Sequence, residues 1–195
     1  MNREATVRRT TGETDVSVRV DLDTPGPSAI STGVGFLDHM LTLFARHGLL
    51  GLTVEASGDL ETGSHHTIED VGITLGRAID QALGDRAGIE RYGSALVPMD
   101  EVLVQVAIDI SGRPLVVTDV DLPHGTIGDF ENECLIEFLR GFANHARLTL
   151  HVRVLSGGGV HHVIEGVFKA VARALAVAVS LSPKVSGVPS TKGSL

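Results

Sequence analysis

The chain has 195 residues but a single cysteine, Cys134, and no tryptophan. A lone thiol builds neither a disulfide framework nor a thiolate-rich metal site, which fits a reducing cytosolic compartment. Positive charge is scarce too: 16 Lys and Arg stand against 24 Asp and Glu, a formal net charge of −8. Nucleic-acid phosphates need a concentrated basic surface, so no nucleic-acid partner is expected. Long apolar runs are missing as well. The least polar stretch, Ala174 to Leu181, falls well short of the roughly 20 residues that span a bilayer, and the first residues carry no apolar leader. The expectation is a cytosolic protein without a membrane partner, long enough to bury a core unaided.

Histidine is what the sequence has in pattern. Four of its nine histidines form two adjacent pairs, His65-His66 and His161-His162. Aligned on those pairs, residues 65–79 (HHTIEDVGITLGRAI) and 161–175 (HHVIEGVFKAVARAL) agree at seven of fifteen positions, at an offset of 96. Upstream, residues 39–54 and 137–152 match at an offset of 98, through Leu41/Leu139, Phe44/Phe142, Ala45/Ala143, His47/His145, Leu50/Leu148, Leu52/Leu150 and Val54/Val152. The chain is a tandem duplication. Boundaries are expected at 1–90 for the first repeat, 91–182 for the second, and 183–195 for a Ser-, Gly- and Pro-rich tail that binds substrate or hangs loose.

Periodicity gives each repeat its elements. Val16, Val18, Val20 and Leu22 alternate with polar residues as a half-buried strand does, paired with Thr6 to Arg9 across a Thr-Gly turn. Leu37, Met40, Leu41 and Phe44 follow helical spacing up to Gly48; a strand over Leu52 to Ala56 and a long helix from His65 to Gly84 come next. The second repeat reads as strands over 101–110 and 115–120, a helix over 135–146, a strand over 148–155 and a helix over 161–180. The fold class is α+β, a duplicated β-β-α-β-α unit whose mostly antiparallel sheet is covered by helices on one face.

In an HHxxE helix the first histidine and the glutamate share a face, while the second histidine is turned by about 100°. Each helix can thus give a His-carboxylate pair to one cation and a lone imidazole to another. If the two helices approach, one site takes His65, Glu69 and His162, and the other His161, Glu165 and His66. The duplication nominates His39 and Glu137, at equivalent positions, as the remaining ligands. Imidazole and carboxylate without thiolate suit manganese, iron, zinc or nickel, with manganese preferred and open positions left for substrate. Ligands drawn from both halves imply a link between metal binding and assembly into a homo-oligomer.

These residues, with the blocks GFLDHML (35–41), SHHTIEDVGITLG (64–76), RYGSALVPMDE (91–101), DISGRP (109–114) and PSTKG (189–193), resemble the imidazoleglycerol-phosphate dehydratase family over essentially the whole length. The resemblance implies a duplicated ribosomal protein S5 domain 2-like fold and two Mn2+ per active site. It implies an assembly of 24 subunits built from trimers with sites between subunits, and dehydration of D-erythro-imidazole glycerol phosphate to imidazole acetol phosphate in histidine biosynthesis. His39, His65, His66, Glu69, His161, His162 and Glu165 align with metal ligands. Where many members carry histidine this chain has Glu137, and the duplication favours direct ligation by its carboxylate. Glu13 aligns with a substrate-contacting acid, and Arg91, Arg113, Lys169, Ser190, Thr191 and Lys192 with substrate or phosphate contacts.

The substrate has no carbonyl, so its imidazole must supply electrons: an imidazolate between two metals expels the neighbouring hydroxyl through a diazafulvene-like intermediate. Glu13 is the first candidate for the base, with metal-bound water or the ligand carboxylates Glu69 and Glu165 as rivals, and Asp100 is a candidate to orient a ligand histidine. Two other readings compete. A two-metal hydrolase lacks support, because neither pair forms HExxH and no nucleophile elbow is present. A module whose metals only join subunits leaves Arg91, Arg113 and PSTKG without a role.

Overall fold

A computed structural model describes residues 3–195; Met1 and Asn2, at the start of the expected first repeat, lie outside the described residues. The first half forms β1 (Glu4–Thr10), β2 (Thr14–Asp21), β3 (Ala29–Ser31), α1 (Gly35–Gly48), β4 (Gly51–Gly58) and α2 (His65–Leu83). The second forms β5 (Tyr92–Met99), β6 (Val102–Asp109), β7 (Leu115–Asp119), the short strands β8 (Thr126–Ile127) and β9 (Phe130–Glu131), α3 (Cys134–His145), β10 (Thr149–Ser156) and α4 (Val160–Val179). The two main sheets share one order, β1-β2-β4-β3 and β5-β6-β10-β7. In each, the last pairing is parallel and the others antiparallel.

The β-β-α-β-α succession is present in both halves, each with one further strand in its main sheet, and the second also carries the two-stranded β8-β9 sheet. β3 has three residues and pairs with β4, too short to show a period. β5 contains Gly93 and Pro98, which break the alternation and suit an edge strand, where a missing N–H costs no ladder bond. The alternation in β2 holds: Val16, Val18 and Val20 are fully buried while Arg19 faces solvent. Burying each such valine contributes about 1.5–3 kcal/mol. The first helix ends as Gly48 suggests, but Leu49 itself takes the left-handed turn at φ 56°, with its N–H bonded to the Ala45 carbonyl.

Helices cover one face of each sheet, and they also meet across the halves. α2 packs on β1, β2 and α3; α4 packs on β5, β6 and α1. The duplication makes the α1–α4 and α3–α2 contacts equivalents of one another. They are built differently. Gly76 in α2 lies where a Cβ would stand 2.4 Å from the Phe142 carbonyl, and at Gly72 it would stand 2.6 Å from that of Phe138, so the α2–α3 crossing depends on missing side chains. Phe138 and Phe142 belong to the buried core. Among the described residues, no helix is long and apolar enough to cross a membrane.

Candidate active site

The N-terminal turn of α4 carries both histidines of the second pair, and α1 brings His39 against it. His161 Nε2 lies 3.1 Å and His39 Nε2 3.9 Å from Glu165 Oε2, so the donor atoms of all three gather at one point. With bonds of about 2.1 Å, neighbouring donors on an octahedral ion stand about 3 Å apart, and the His161–Glu165 separation matches. The Phe36 ring packs edge-on against the His161 ring at 5.0 Å. Lys169, one turn beyond Glu165, places its ammonium 2.5 Å from Glu165 Oε1. Burial opposes ionisation of Glu165, but Lys169 and His161 outweigh it, and the carboxyl is held below its ordinary range. An ionised carboxylate beside two imidazoles is the donor set a divalent cation takes.

On the other helix pair, His65 Nε2 lies 3.8 Å from Glu69 Oε2. Cys134 Sγ stands 3.8 Å from His65 Nδ1, in the position Phe36 holds relative to His161. Burial pushes the Cys134 thiol up to about 12, so the side chain stands there as a neutral thiol. Glu137, expected to match His39, pairs with Arg140 at 2.8 Å.

His66 and His162 turn away from their neighbours, as the helical offset requires. His66 Nδ1 lies 3.1 Å from Asp59 Oδ2 and 3.9 Å from Glu13 Oε2; His162 Nδ1 lies 3.0 Å from Glu101 Oε2. The Asp59 and Glu101 hydrogen bonds raise the pKa of His66 and His162 respectively. A carboxylate that accepts from Nδ1–H fixes the tautomer and leaves Nε2 free to ligate. Glu101 is drawn down to about 2, first by the Gly159 N–H that donates to it at 2.8 Å. Gly158 permits this approach, since a Cβ there would lie 2.1 Å from Glu101 Oε1. Asp100, expected beside a ligand histidine, lies 3.8 Å from His162 Nε2, while its neighbour Glu101 takes the Nδ1 bond.

Among the described residues two groups of three or more donors could hold a metal: His39, His161 and Glu165, and Asp100, Glu101 and His162. Neither groups His66 with His161, nor His162 with His65. Asp59 and Glu101 are the supporting residues that spacing did not reveal. Asp59 lies outside the HHxxE repeat, and Glu101 carried a signal only as the neighbour of Asp100.

A second feature lies near the far end of α4. Arg91, Arg113, Ser190, Thr191 and Lys192 line one groove of about 590 Å³ together with Tyr92 and Pro189. The tail is tied down. Its Gly187 carbonyl accepts from Gly88 N–H, Pro189 O accepts from Arg91 Nη1 at 2.8 Å, and Leu181 bridges Ile89. The Arg91 fork also grips Asp109, at 2.7 and 3.1 Å, which raises its pKa further and holds it cationic. Arg113 is largely exposed, with its guanidinium 3.8 Å from Asp109. Lys169 does not line this groove; its ammonium lies on Glu165 and Met99.

Comparison with known proteins matches residues 32–175 to the family described as Imidazoleglycerol-phosphate dehydratase. The imidazoleglycerol-phosphate dehydratase of Desulforamulus reducens is 56% identical over 195 residues, and that of Moorella thermoacetica 54%, each comparison covering 100% of both chains. The crystal structure of the Staphylococcus aureus enzyme superposes with a TM-score of 0.83 at 41% identity, covering 92% of this chain and 99% of the other. That of the Pyrococcus furiosus enzyme gives 0.83 at 40%, covering 97% and 100%. The chain belongs to the imidazoleglycerol-phosphate dehydratase family, hydro-lyases of histidine biosynthesis.

Proposed function

We propose that the chain dehydrates D-erythro-imidazole glycerol phosphate to imidazole acetol phosphate with two Mn2+ ions per active site, held by His39, His65, His66, Glu69, Glu137, His161, His162 and Glu165. The observation that carries this is the convergence of His39 from the first half with His161 and Glu165 from the second on one point. Bound there, the two ions supply Lewis acidity that lowers the pKa of the substrate's ring N–H and orients its diol. Glu13, half exposed and 3.9 Å from His66 Nδ1, takes the proton from the carbon that becomes the ketone, a role worth about 10²–10⁴ in rate. Glu69 and Glu165 would hold the metals on the side that binds the ring.

The groove residues Arg91, Arg113, Ser190, Thr191 and Lys192 take the phosphate, through guanidinium forks and hydroxyl donors suited to a monoester. Lys169 reaches substrate only by leaving Glu165. His161 opens α4, whereas the Arg91 N–H binds the Ala178 carbonyl near the end of the same helix. At 1.5 Å per residue the two features are about 25 Å apart, far more than the three-carbon chain between ring and phosphate can bridge. One substrate therefore draws its ring ligands and its phosphate groove from different copies of the chain, in a cytosolic assembly of 24 subunits built from trimers. The test is metal content and molar mass measured together. Two manganese ions per chain in a large oligomer, both lost with activity on chelation, are expected; full activity in metal-free protein overturns the proposal.

A further inference from the structure

The two equivalent histidines His65 and His161 are mounted differently, and the difference leads outward from His65 into β9. Glu131 there accepts from the Ser64 backbone N–H at 3.3 Å through Oε1, while its own N–H donates to Ser64 Oγ at 3.4 Å. Its Oε2 accepts from the Cys134 thiol at 3.6 Å, and Cys134 Sγ in turn lies 3.8 Å from His65 Nδ1. Gly63 leaves room for this carboxylate, because a Cβ there would stand 2.7 Å from Glu131 Oε1. The offset of 98 that aligns His39 with Glu137 sets Phe36 opposite Cys134, and Phe36 offers His161 a ring edge instead of a hydrogen-bond acceptor.

We propose that Glu131, acting through the Cys134 thiol, is a positioning residue for His65: the carboxylate accepts a hydrogen bond from the thiol S–H, the sulfur accepts one from Nδ1–H, and Nε2 is left to face Glu69 and a metal. The inference rests on the proposed role of His65 as a ligand. It extends the usual carboxylate–histidine–metal arrangement, in which the outer partner sets the tautomer and ring angle, by one sulfur atom. Cys134 is fully buried, so solvent does not replace either bond. The hairpin of β8 and β9 thereby reaches His65 through hydrogen bonds, whereas it reaches His161 through ring packing, Phe130 on Phe36 at 5.4 Å.

The experiment measures Mn2+ binding to the intact protein by calorimetry, with electron paramagnetic resonance to count free ion. The variants are Glu131→Gln, Cys134→Ala, Cys134→Ser and the double variant Glu131→Gln/Cys134→Ala. Each of the first two is expected to weaken one of two sites by about 10- to 100-fold and leave the other unchanged. Serine, which keeps a donor and an acceptor, restores part of the loss, and the double variant loses no more than the worse single one. Thermal unfolding of the metal-free proteins runs alongside. Loss at both sites in proportion to a lowered melting temperature, or wild-type affinity at both sites in all four, overturns the relay while the metal reading stands. Wild-type protein that binds no Mn2+ overturns both.

Discussion

The α1–α4 and α3–α2 contacts are equivalents within the duplication, yet they hold their HHxxE side chains at different depths. On α1–α4 the carboxylate is buried, with Glu165 9% exposed at its side chain, and His39, His161 and Lys169 all reach it. On α3–α2 the equivalent Glu69 is 42% exposed, His65 stands 3.8 Å away, and Glu137 is occupied by Arg140. Electrostatic attraction grows as water is excluded, so under the proposed two-metal reading a cation at the first is expected to be gripped more strongly than one at the second. The two copies keep both histidines and the glutamate of the HHxxE motif, whereas His39 is matched by Glu137, Phe36 by Cys134, and Lys169 on α4 by Ile73 on α2.

The comparison is broken most sharply by removing its carboxylates. Glu165→Gln is expected to empty one metal site and abolish turnover, and Glu69→Gln to weaken the other site without emptying the first; metal content by mass spectrometry separates them. Identical effects of the two would mean that burial does not distinguish the sites. Next in size is Glu13→Gln, which lowers kcat by about 10²–10⁴ and leaves the melting temperature unchanged, because the side chain is exposed and supports no packing. A change at the tip of the second hairpin, Asp100→Asn, whose carboxylate lies 3.8 Å from His162 Nε2, is expected to cost less. Kinetics on both variants decide whether one hairpin or two serve the reaction.

The groove is lined by residues of the second half and of the tail, which allows a milder test. If Lys192 grips the phosphate as proposed, Lys192→Ala is expected to remove one charged hydrogen bond, worth about 1.5–3 kcal/mol, and to raise KM more than it lowers kcat. Equal loss in both parameters would contradict a simple phosphate grip. The smallest effect concerns packing. Gly76→Ala forces a methyl onto the Phe142 carbonyl and is expected to cost about 1–3 kcal/mol of stability, seen as a lowered denaturant midpoint. Gly48→Ala, whose Cβ meets Leu50 side-chain atoms at 3.2 Å, costs less, since that side chain can shift.

Much of this was legible in the sequence, because helical spacing is rigid. His65 with Glu69 and His161 with Glu165 had to share faces, and His66 and His162 had to turn away. Alternation likewise revealed β2, and the seven identities between residues 161–175 and 65–79 revealed the duplication. What spacing does not carry is contact between distant segments. Asp59 reaches His66 only because β4 delivers it there, Asp109 fixes Arg91 from the neighbouring strand, and Lys169 turns to Glu165 rather than to the groove. The position of Glu131 under Cys134 depends on β9, two residues long, which no periodicity announces.

The most direct measurement is an anomalous-difference map from crystals of the protein grown with Mn2+. Two peaks per chain are expected, one bonded to His39, His161 and Glu165 and one to His65, Glu69 and Glu137, each completed by His66 or His162 of a neighbouring copy. A map without manganese at these side chains, or with each ion ligated wholly within one chain, would contradict the shared two-metal site.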